Sequence, residues 1–321
     1  MTVDAFIRGC AWAGVADVPY PRADPADASR LPADTWATAQ LPVGVRVEFV
    51  GDASAVEIEY RTATTDMGYR GDGAGRVFEL WRDDRLVSGA PAVLGAGVVR
   101  LETGDGDGRC VVYLPEGMRP TLLSLTPADG TVSPAPDQPR WLVYGDSVAE
   151  GWVASGPSGA WPAVAGRSHG LDVVNCGYAG SARGEIASAE QLARVAADVI
   201  AVCHGTNCWS RTPHSVAMMA AGTDAFLTVL RQGHPTTPIV VLSPVLRPDA
   251  EATPNRLGAT LADLRDAVEQ VAEARGDVTL VRGLPLLDAS MLPDGIHPGD
   301  EGHRLLAAAV GPVVQRALGS G

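Results

Sequence analysis

Between residues 127 and 140 the spacing of apolar residues changes, and with it the kind of structure the chain can form. Upstream the pattern has period two. Val43, Val45, Val47 and Phe49 alternate with Gly44, Arg46 and Glu48, and Val56, Ile58 and Tyr60 alternate with Glu57 and Glu59. Such alternation puts one face of a strand on a core. Further short apolar runs fall at 76–81, 97–101, 110–114 and 121–125, with Gly/Asp turns at 71–75 and 104–108, and the run at 5–10 offers one more strand. Many short strands joined by turns predict an all-β sandwich or jelly roll over 1–127. Three prolines in the polar stretch 128–139 predict a linker.

Downstream, apolar runs at 141–144, 172–175, 198–203, 238–243 and 278–281 alternate with helical stripes. Leu257, Leu261, Leu264, Val268 and Val271 form one stripe, which stops at Gly276. Val216, Met219, Thr223, Phe226 and Leu230 form another, ending near Gly233. A last helix spans about 300–317, where Pro312 is expected to bend it. Alternating strand and helix over 140–321 predicts an α/β domain, a parallel five-stranded sheet with helices on both faces and a flavodoxin-like strand order. In such sheets ligands bind beyond the carboxyl ends of the strands.

Composition narrows the chemistry. All 25 basic residues are arginine. A lysine Schiff base, a Ser-Lys dyad and a P-loop lysine are therefore excluded. A formal net charge of −13 repels nucleic acid and anionic membranes. The five cysteines, at 10, 110, 176, 203 and 208, have no disulfide-framework spacing. The first ten residues lack the apolar core of a signal peptide, and no run reaches the length of a membrane span. These features point to a soluble, cytoplasmic protein. Its oligomeric state is not legible in the sequence.

The strand ends carry the polar residues of interest. The run at 141–144 leads into Gly145-Asp146-Ser147, a tight turn that sets a serine at a helix start, where the dipole and its own N–H favour an oxyanion. Taken alone it reads equally as an N-capped loop. The second strand ends in Asn175-Cys176-Gly177, whose glycine can offer its N–H to a substrate or simply turn the chain. The third ends in Gly205-Thr206-Asn207, whose amide can donate to an oxyanion. Cys203, His204 and Cys208 suggest a metal only weakly, because Cys203 belongs to a buried strand and no second ligand cluster exists; no metal and no cofactor are expected.

After the fifth strand comes Asp294-Gly-Ile-His297-Pro298, in which an acid can orient a base on a loop. Asp300 and His303 repeat that spacing within the last helix, whose side chains point along the helix face. All six histidines lie at or after residue 169, so the sandwich is expected to supply no base.

Together these blocks resemble the SGNH, or GDSL-type, hydrolases over about 140–321. The resemblance implies Ser147 as nucleophile, His297 as base and Asp294 as its orienting acid. It implies an oxyanion hole made by Asn207 with the backbone N–H groups of Ser147 and Gly177. The family's third block often ends G-x-N-D, and Cys208 here replaces that acid. A β-sandwich ahead of the hydrolase domain is similar to some carbohydrate esterases. The expected reaction is removal of a small acyl group, such as acetyl, from a hydroxyl-bearing small molecule or carbohydrate. Acyl transfer through the same serine and a glycan-binding module with an idle triad are the alternatives. Trp152, Trp161 and Trp209 are candidate platforms or core residues, and Arg183 is a candidate contact for an anionic group. Arg70-Gly-Asp72 reads as a chance turn.

Overall fold

The computed structural model describes residues 1–64 and 75–319. Arg70-Gly-Asp72 and most of the expected turn at 71–75 lie outside them. In the first half the elements are β1 (Ile7–Arg8), α1 (Ala33–Ala39), β2 (Arg46–Gly51), β3 (Ala55–Thr62), β4 (Val77–Arg82), β5 (Arg85–Pro91), β6 (Gly95–Glu102), β7 (Cys110–Tyr113), β8 (Pro120–Pro127) and β9 (Val132–Pro134).

They make two antiparallel sheets. One runs β1-β2-β7-β4-β5, with β9 also pairing β2, and the other runs β6-β3-β8. The sheets face each other across a core that includes Val47 and Phe49 of β2, Ile58 and Tyr60 of β3, Phe78 of β4 and Leu125 of β8. β3 shows the expected alternation, with Glu57 and Glu59 exposed and Ile58 and Tyr60 buried. β5 has no apolar alternation to give it away, being mostly exposed. Strand β9 places part of the proline-rich segment in the first sheet, with Phe49 opposite Pro134.

The second half contains β10 (Arg140–Gly145), α2 (Ser147–Glu150), α3 (Trp161–His169), β11 (Asp172–Gly177), α4 (Ile186–Leu192), β12 (Val199–Cys203), α5 (Thr206–Trp209), α6 (Val216–Gly233), β13 (Ile239–Leu242), α7 (Leu261–Arg275), β14 (Thr279–Val281) and α8 (Asp300–Leu318). The five parallel strands follow the order β11-β10-β12-β13-β14, the flavodoxin-like order. Leu142, Tyr144, Ile200 and Val202 pack on one side with α4, α6 and α7. Trp141, Val143, Val199 and Ala201 pack on the other with α3 and α8. Helix α7 begins at Leu261, not at Leu257, because Thr260 and Asp263 form a reciprocal capping box there. Leu257 is 51% exposed. Helix α8 runs on through Pro312 to Leu318.

The two halves share more than a connecting segment. Ala23, Leu31 and Ala39 belong to the core of the parallel layer. The outer face of β2, with its charged Arg46 and Glu48, is buried as well, at 4% and 2% exposure. Arg46 donates to Glu48 at 2.6 Å, to Asp172 at 2.8 Å and to the Val173 carbonyl at 2.9 Å. A sheet face that reads as solvated thus lies against β11, its charges paired. Breaking a buried pair by removing one partner typically costs about 3–5 kcal/mol. Arg46→Gln is expected to lower unfolding stability by about that much, read as a lower midpoint in urea. An unchanged midpoint would show that the contact contributes nothing.

Candidate active site

Gly145 ends β10 where two elements close in. A side chain there would meet the Cys203 carbonyl oxygen at 2.7 Å and the Ala149 methyl at 2.5 Å, so only glycine fits. Asp146 then caps α2, its carboxylate accepting the Val148 N–H at 3.0 Å. This leaves Ser147 as the first residue of the helix, where a backbone N–H has no partner within the helix.

Opposite it, Asp294 folds its own loop. Oδ1 accepts the N–H groups of Ile296 at 2.9 Å and His297 at 2.7 Å. Oδ2 lies 2.7 Å from His297 Nδ1, and His297 Nε2 lies 2.9 Å from Ser147 Oγ. An ionised carboxylate only accepts, so the proton sits on Nδ1 and the Nε2 lone pair faces the Ser147 hydroxyl. Burial raises the Asp294 pKa, but the hydrogen bonds from His297 and Ile296 outweigh it and hold the carboxyl below its ordinary value. Ser147 and the Asp294–His297 loop, far apart in sequence, are thus hydrogen-bonded in series. Trp152 stacks on the His297 ring, with centroids 5.2 Å apart.

Asn207, in α5, is 5% exposed. Its Nδ2 donates one hydrogen to the Ala182 carbonyl at 3.1 Å, which leaves the second for another acceptor. The neighbouring Thr206 N–H faces the Asp146 carboxylate, which draws α5 alongside the Ser147 turn.

Gly177 differs from the expectation. Its N–H donates to Asn175 Oδ1 at 2.8 Å and is not open to a substrate. The glycine is needed for packing, since a Cβ would meet the Glu150 N at 2.5 Å. Asn175 also donates to the Ala149 carbonyl at 2.9 Å, tying β11 to α2. The signal for this role was in the sequence, in the asparagine two residues before the glycine.

Other residues singled out in the sequence have structural partners. Arg183 is held by both Asp34 oxygens, at 2.7 and 2.8 Å, and by Thr212 at 2.9 Å, so it anchors the first half. Trp161 is fully buried against Trp141. Arg247 lies over the Trp209 ring at 4.8 Å. Burial pushes the Cys203 and Cys208 thiols up and His204 down to about 4. His303 is fully buried and joins both ends of one loop, accepting the Trp161 N–H at 3.3 Å and donating to the Trp152 carbonyl at 3.1 Å.

The sequence reading missed a residue from the first half. Arg22, 1% exposed, reaches behind the site. It donates to the Gly177 and Thr38 carbonyls and pairs with Glu150 of α2 at 3.6 Å. Glu150 in turn accepts the Ala179 N–H. No periodicity marks such a residue.

A flavodoxin-like sheet preceded by an antiparallel sandwich is the fold of two-part SGNH hydrolases and acyltransferases. The profile of the GDSL-like Lipase/Acylhydrolase family matches residues 143–305, and the chain belongs to that family. Comparison with curated proteins finds no match. Among solved structures, a salicylyl-acyltransferase from a tetracycline biosynthetic pathway is 25% identical with a TM-score of 0.82, over 98% of this chain and 94% of that one. A protein from Bacteroides ovatus described as a GDSL-like lipase is 22% identical with a TM-score of 0.79, over 99% and 97%. An acetyl xylan esterase from the rumen bacterium Butyrivibrio proteoclasticus is 15% identical with a TM-score of 0.65, over 99% and 98%. No helix among the described residues is long and apolar enough to cross a membrane.

Burial raises Asp146 from 3.8 to about 6, against the pull of the Val148 N–H and His297. The folded state therefore holds this proton more tightly than the unfolded chain does. Its contribution to stability is full below pH 3.8 and falls as pH rises to about 6, then stays constant. Asp146→Asn keeps the cap acceptor and lacks the proton. Measured by thermal unfolding, its stability relative to the natural protein is expected to rise across that window and level off above it. A difference that stays flat would mean the carboxyl titrates normally.

Proposed function

We propose that the protein is a serine esterase that removes a small acyl group, such as acetyl, from a hydroxyl-bearing small molecule or carbohydrate. The observation that carries this reading is the series of hydrogen bonds from Asp294 through His297 to Ser147 at the start of α2. In this reading Ser147 Oγ attacks the ester carbonyl carbon while its proton passes to His297 Nε2. Asp294 keeps the ring oriented and stabilises the imidazolium. The oxyanion of the tetrahedral intermediate is received by the Ser147 N–H and the second Nδ2 hydrogen of Asn207. Collapse of the intermediate breaks the C–O bond to the alcohol, which leaves with the proton from His297. Water, deprotonated by His297, then attacks the acyl-serine, and the acid and the free enzyme are released.

Gly180 replaces Gly177 as the further backbone donor in this scheme. It is half-buried on the loop beyond the carboxyl end of β11, two residues after Tyr178, whose N–H is bonded to Gly145 at 2.8 Å. Residues 140–321 form the catalytic domain, and 1–127, with the segment 128–139, stabilise it and shape access.

The salicylyl-acyltransferase and the acetyl xylan esterase named above differ in what they act on. Transfer and hydrolysis share the acyl-serine and part company only at the acceptor. Access of water to the base is compatible with hydrolysis. The Asp294 side chain is 42% exposed and that of His297 14%, so water reaches the place where the second attack occurs.

A fluorophosphonate is expected to label Ser147 covalently, and Ser147→Ala is expected to lose both labelling and hydrolysis of 4-nitrophenyl acetate with an unchanged unfolding temperature. Labelling at another serine, or full turnover by the variant, would overturn the assignment. Asn207→Ala is expected to lower kcat by ~10²–10³-fold with a smaller change in KM, as loss of one oxyanion donor does. An unchanged kcat, with chemistry rate-limiting, would remove Asn207 from the hole.

A further inference from the structure

The His297 ring is bonded to Asp294 through Nδ1 and to Ser147 through Nε2. Two bonds along one line leave the plane of the ring free to rock about that line, and the Asp294 side chain is 42% exposed. The plane is set instead by the Trp152 indole, stacked on the ring at 24° with centroids 5.2 Å apart. We propose that the second Asp-x-x-His pair, Asp300 and His303, forms with a left-handed turn at Val153 a brace that positions Trp152, and through it the base. These four are positioning residues. The inference rests on the esterase reading and extends it to residues outside the triad.

The backbone carries the first observation. Val153 has φ 65°, and it is the one β-branched residue among the described non-glycine residues with positive φ. A branched side chain is crowded in that region, so the conformation persists only where the surroundings impose it. The surroundings do so from both sides. The Trp152 N–H donates to the Ser147 carbonyl at 3.0 Å, and the Ala154 N–H donates to the Gly151 carbonyl at 3.2 Å. His303 Nε2 donates to the Trp152 carbonyl at 3.1 Å, and the Ser155 N–H donates to Asp300 Oδ1 at 2.8 Å. Both flanks of Val153 are thereby tied to the first turn of α8.

His303 supplies the buried part of the brace. It is 0% exposed, so no water competes for its bonds. Its Nδ1 accepts the Trp161 N–H at 3.3 Å, which fixes the ring against the start of α3 while Nε2 holds Trp152. A neutral imidazole with one acceptor and one donor nitrogen satisfies both backbone groups at once. Without these bonds Val153 is free to return to negative φ. That rotates the Trp152 peptide against Ala154 and carries the indole off the ring.

The stack also serves the chemistry. When Ser147 gives its proton to Nε2, the ring becomes a cation, and the face of an indole attracts a cation. The brace therefore acts on the step in which the base is charged.

The test is steady-state hydrolysis of 4-nitrophenyl acetate by full-length variants, each checked by far-ultraviolet circular dichroism. Trp152→Leu is expected to lower kcat ~10–100-fold with KM changed less than ~2-fold, because a misplaced base loses rate without losing ground-state binding. Trp152→Phe, which keeps an aromatic face, is expected to retain most of kcat. His303→Leu is expected to fall as Trp152→Leu does, and His303→Gln, whose amide offers an acceptor and a donor, to restore most of the loss. Adding Val153→Gly to His303→Leu is expected to recover kcat at least ~5-fold, because glycine keeps the left-handed turn without strain. A merely structural histidine would show no such recovery. Unchanged kcat in a folded Trp152→Leu overturns the proposal, as does a loss in His303→Leu that Val153→Gly does not recover. A raised KM with kcat held in Trp152→Leu overturns it too, by placing the indole on the substrate. Should His303→Leu fail to fold, the two Trp152 variants decide. A natural protein without turnover overturns the esterase reading and the brace with it; the brace alone fails where the natural protein is active and its Trp152→Leu variant matches it.

Discussion

The Arg22 guanidinium ties the two halves of this molecule together behind the nucleophile helix. It enters from the first half, is 1% exposed, and meets carbonyls at Leu41 and Thr38 on its own side and at Gly177 on the other. It also pairs with Glu150, the last residue of the short helix that begins with Ser147. A planar group with five donors at fixed angles can hold several carbonyls in one arrangement, which an ammonium on a flexible stem cannot. A chain without lysine has only this kind of cation to build with. Arg46 repeats the device at the other contact between the halves, spanning Glu48 and Asp172. The nucleophile helix therefore depends on a side chain more than 120 residues earlier in the chain.

That dependence explains how far the fold could be read from the sequence. Strands β10 to β13 are legible because each is a short run buried on both faces, and a run of that kind between helical stripes means a parallel sheet. The sandwich is legible in β3, where Glu57 and Glu59 alternate with Ile58 and Tyr60. The same logic misleads in β2. Arg46 and Glu48 occupy the positions that alternation assigns to solvent, yet they are buried because a second layer covers that face. Period two reports which residues share a face. It does not report whether the other face meets water or protein. The proline-rich segment misleads similarly, since prolines at a strand edge do not prevent β9 from pairing with β2.

The site divides along a related line. Ser147, Asn207 and the Asp294 loop stand out because each follows a strand, and the carboxyl edge of a parallel sheet is where such loops converge. What a strand end does not reveal is which of its polar groups are already used. Asn175 takes the Gly177 N–H, and Asp34 takes Arg183. Each is a side chain satisfying a neighbour that the sequence leaves nominally free, one two residues away and the other 149. Availability of a donor is a property of the packed structure, because buried polar groups almost always find a partner.

The two Asp-x-x-His pairs make the same point with spacing held constant. In the first, Asp294 turns back on its own backbone, taking the N–H groups of Ile296 and His297 on one oxygen and the ring on the other. The acid thereby fixes the loop that presents the ring, and the far nitrogen is left facing Ser147. In the second pair, Asp300 begins a helix and accepts the Ser155 N–H at 2.8 Å, while His303 is buried one turn on. The helical backbone directs the two side chains to different neighbours, and both His303 nitrogens are occupied by backbone groups of the 152–161 loop. Trp152, whose carbonyl His303 holds, is the residue stacked on His297. The second histidine therefore acts on the site by supporting the loop beneath the first. What separates a base from a brace at identical spacing is the local backbone: a turn lets an acid and its histidine close on each other, and a helix keeps them apart.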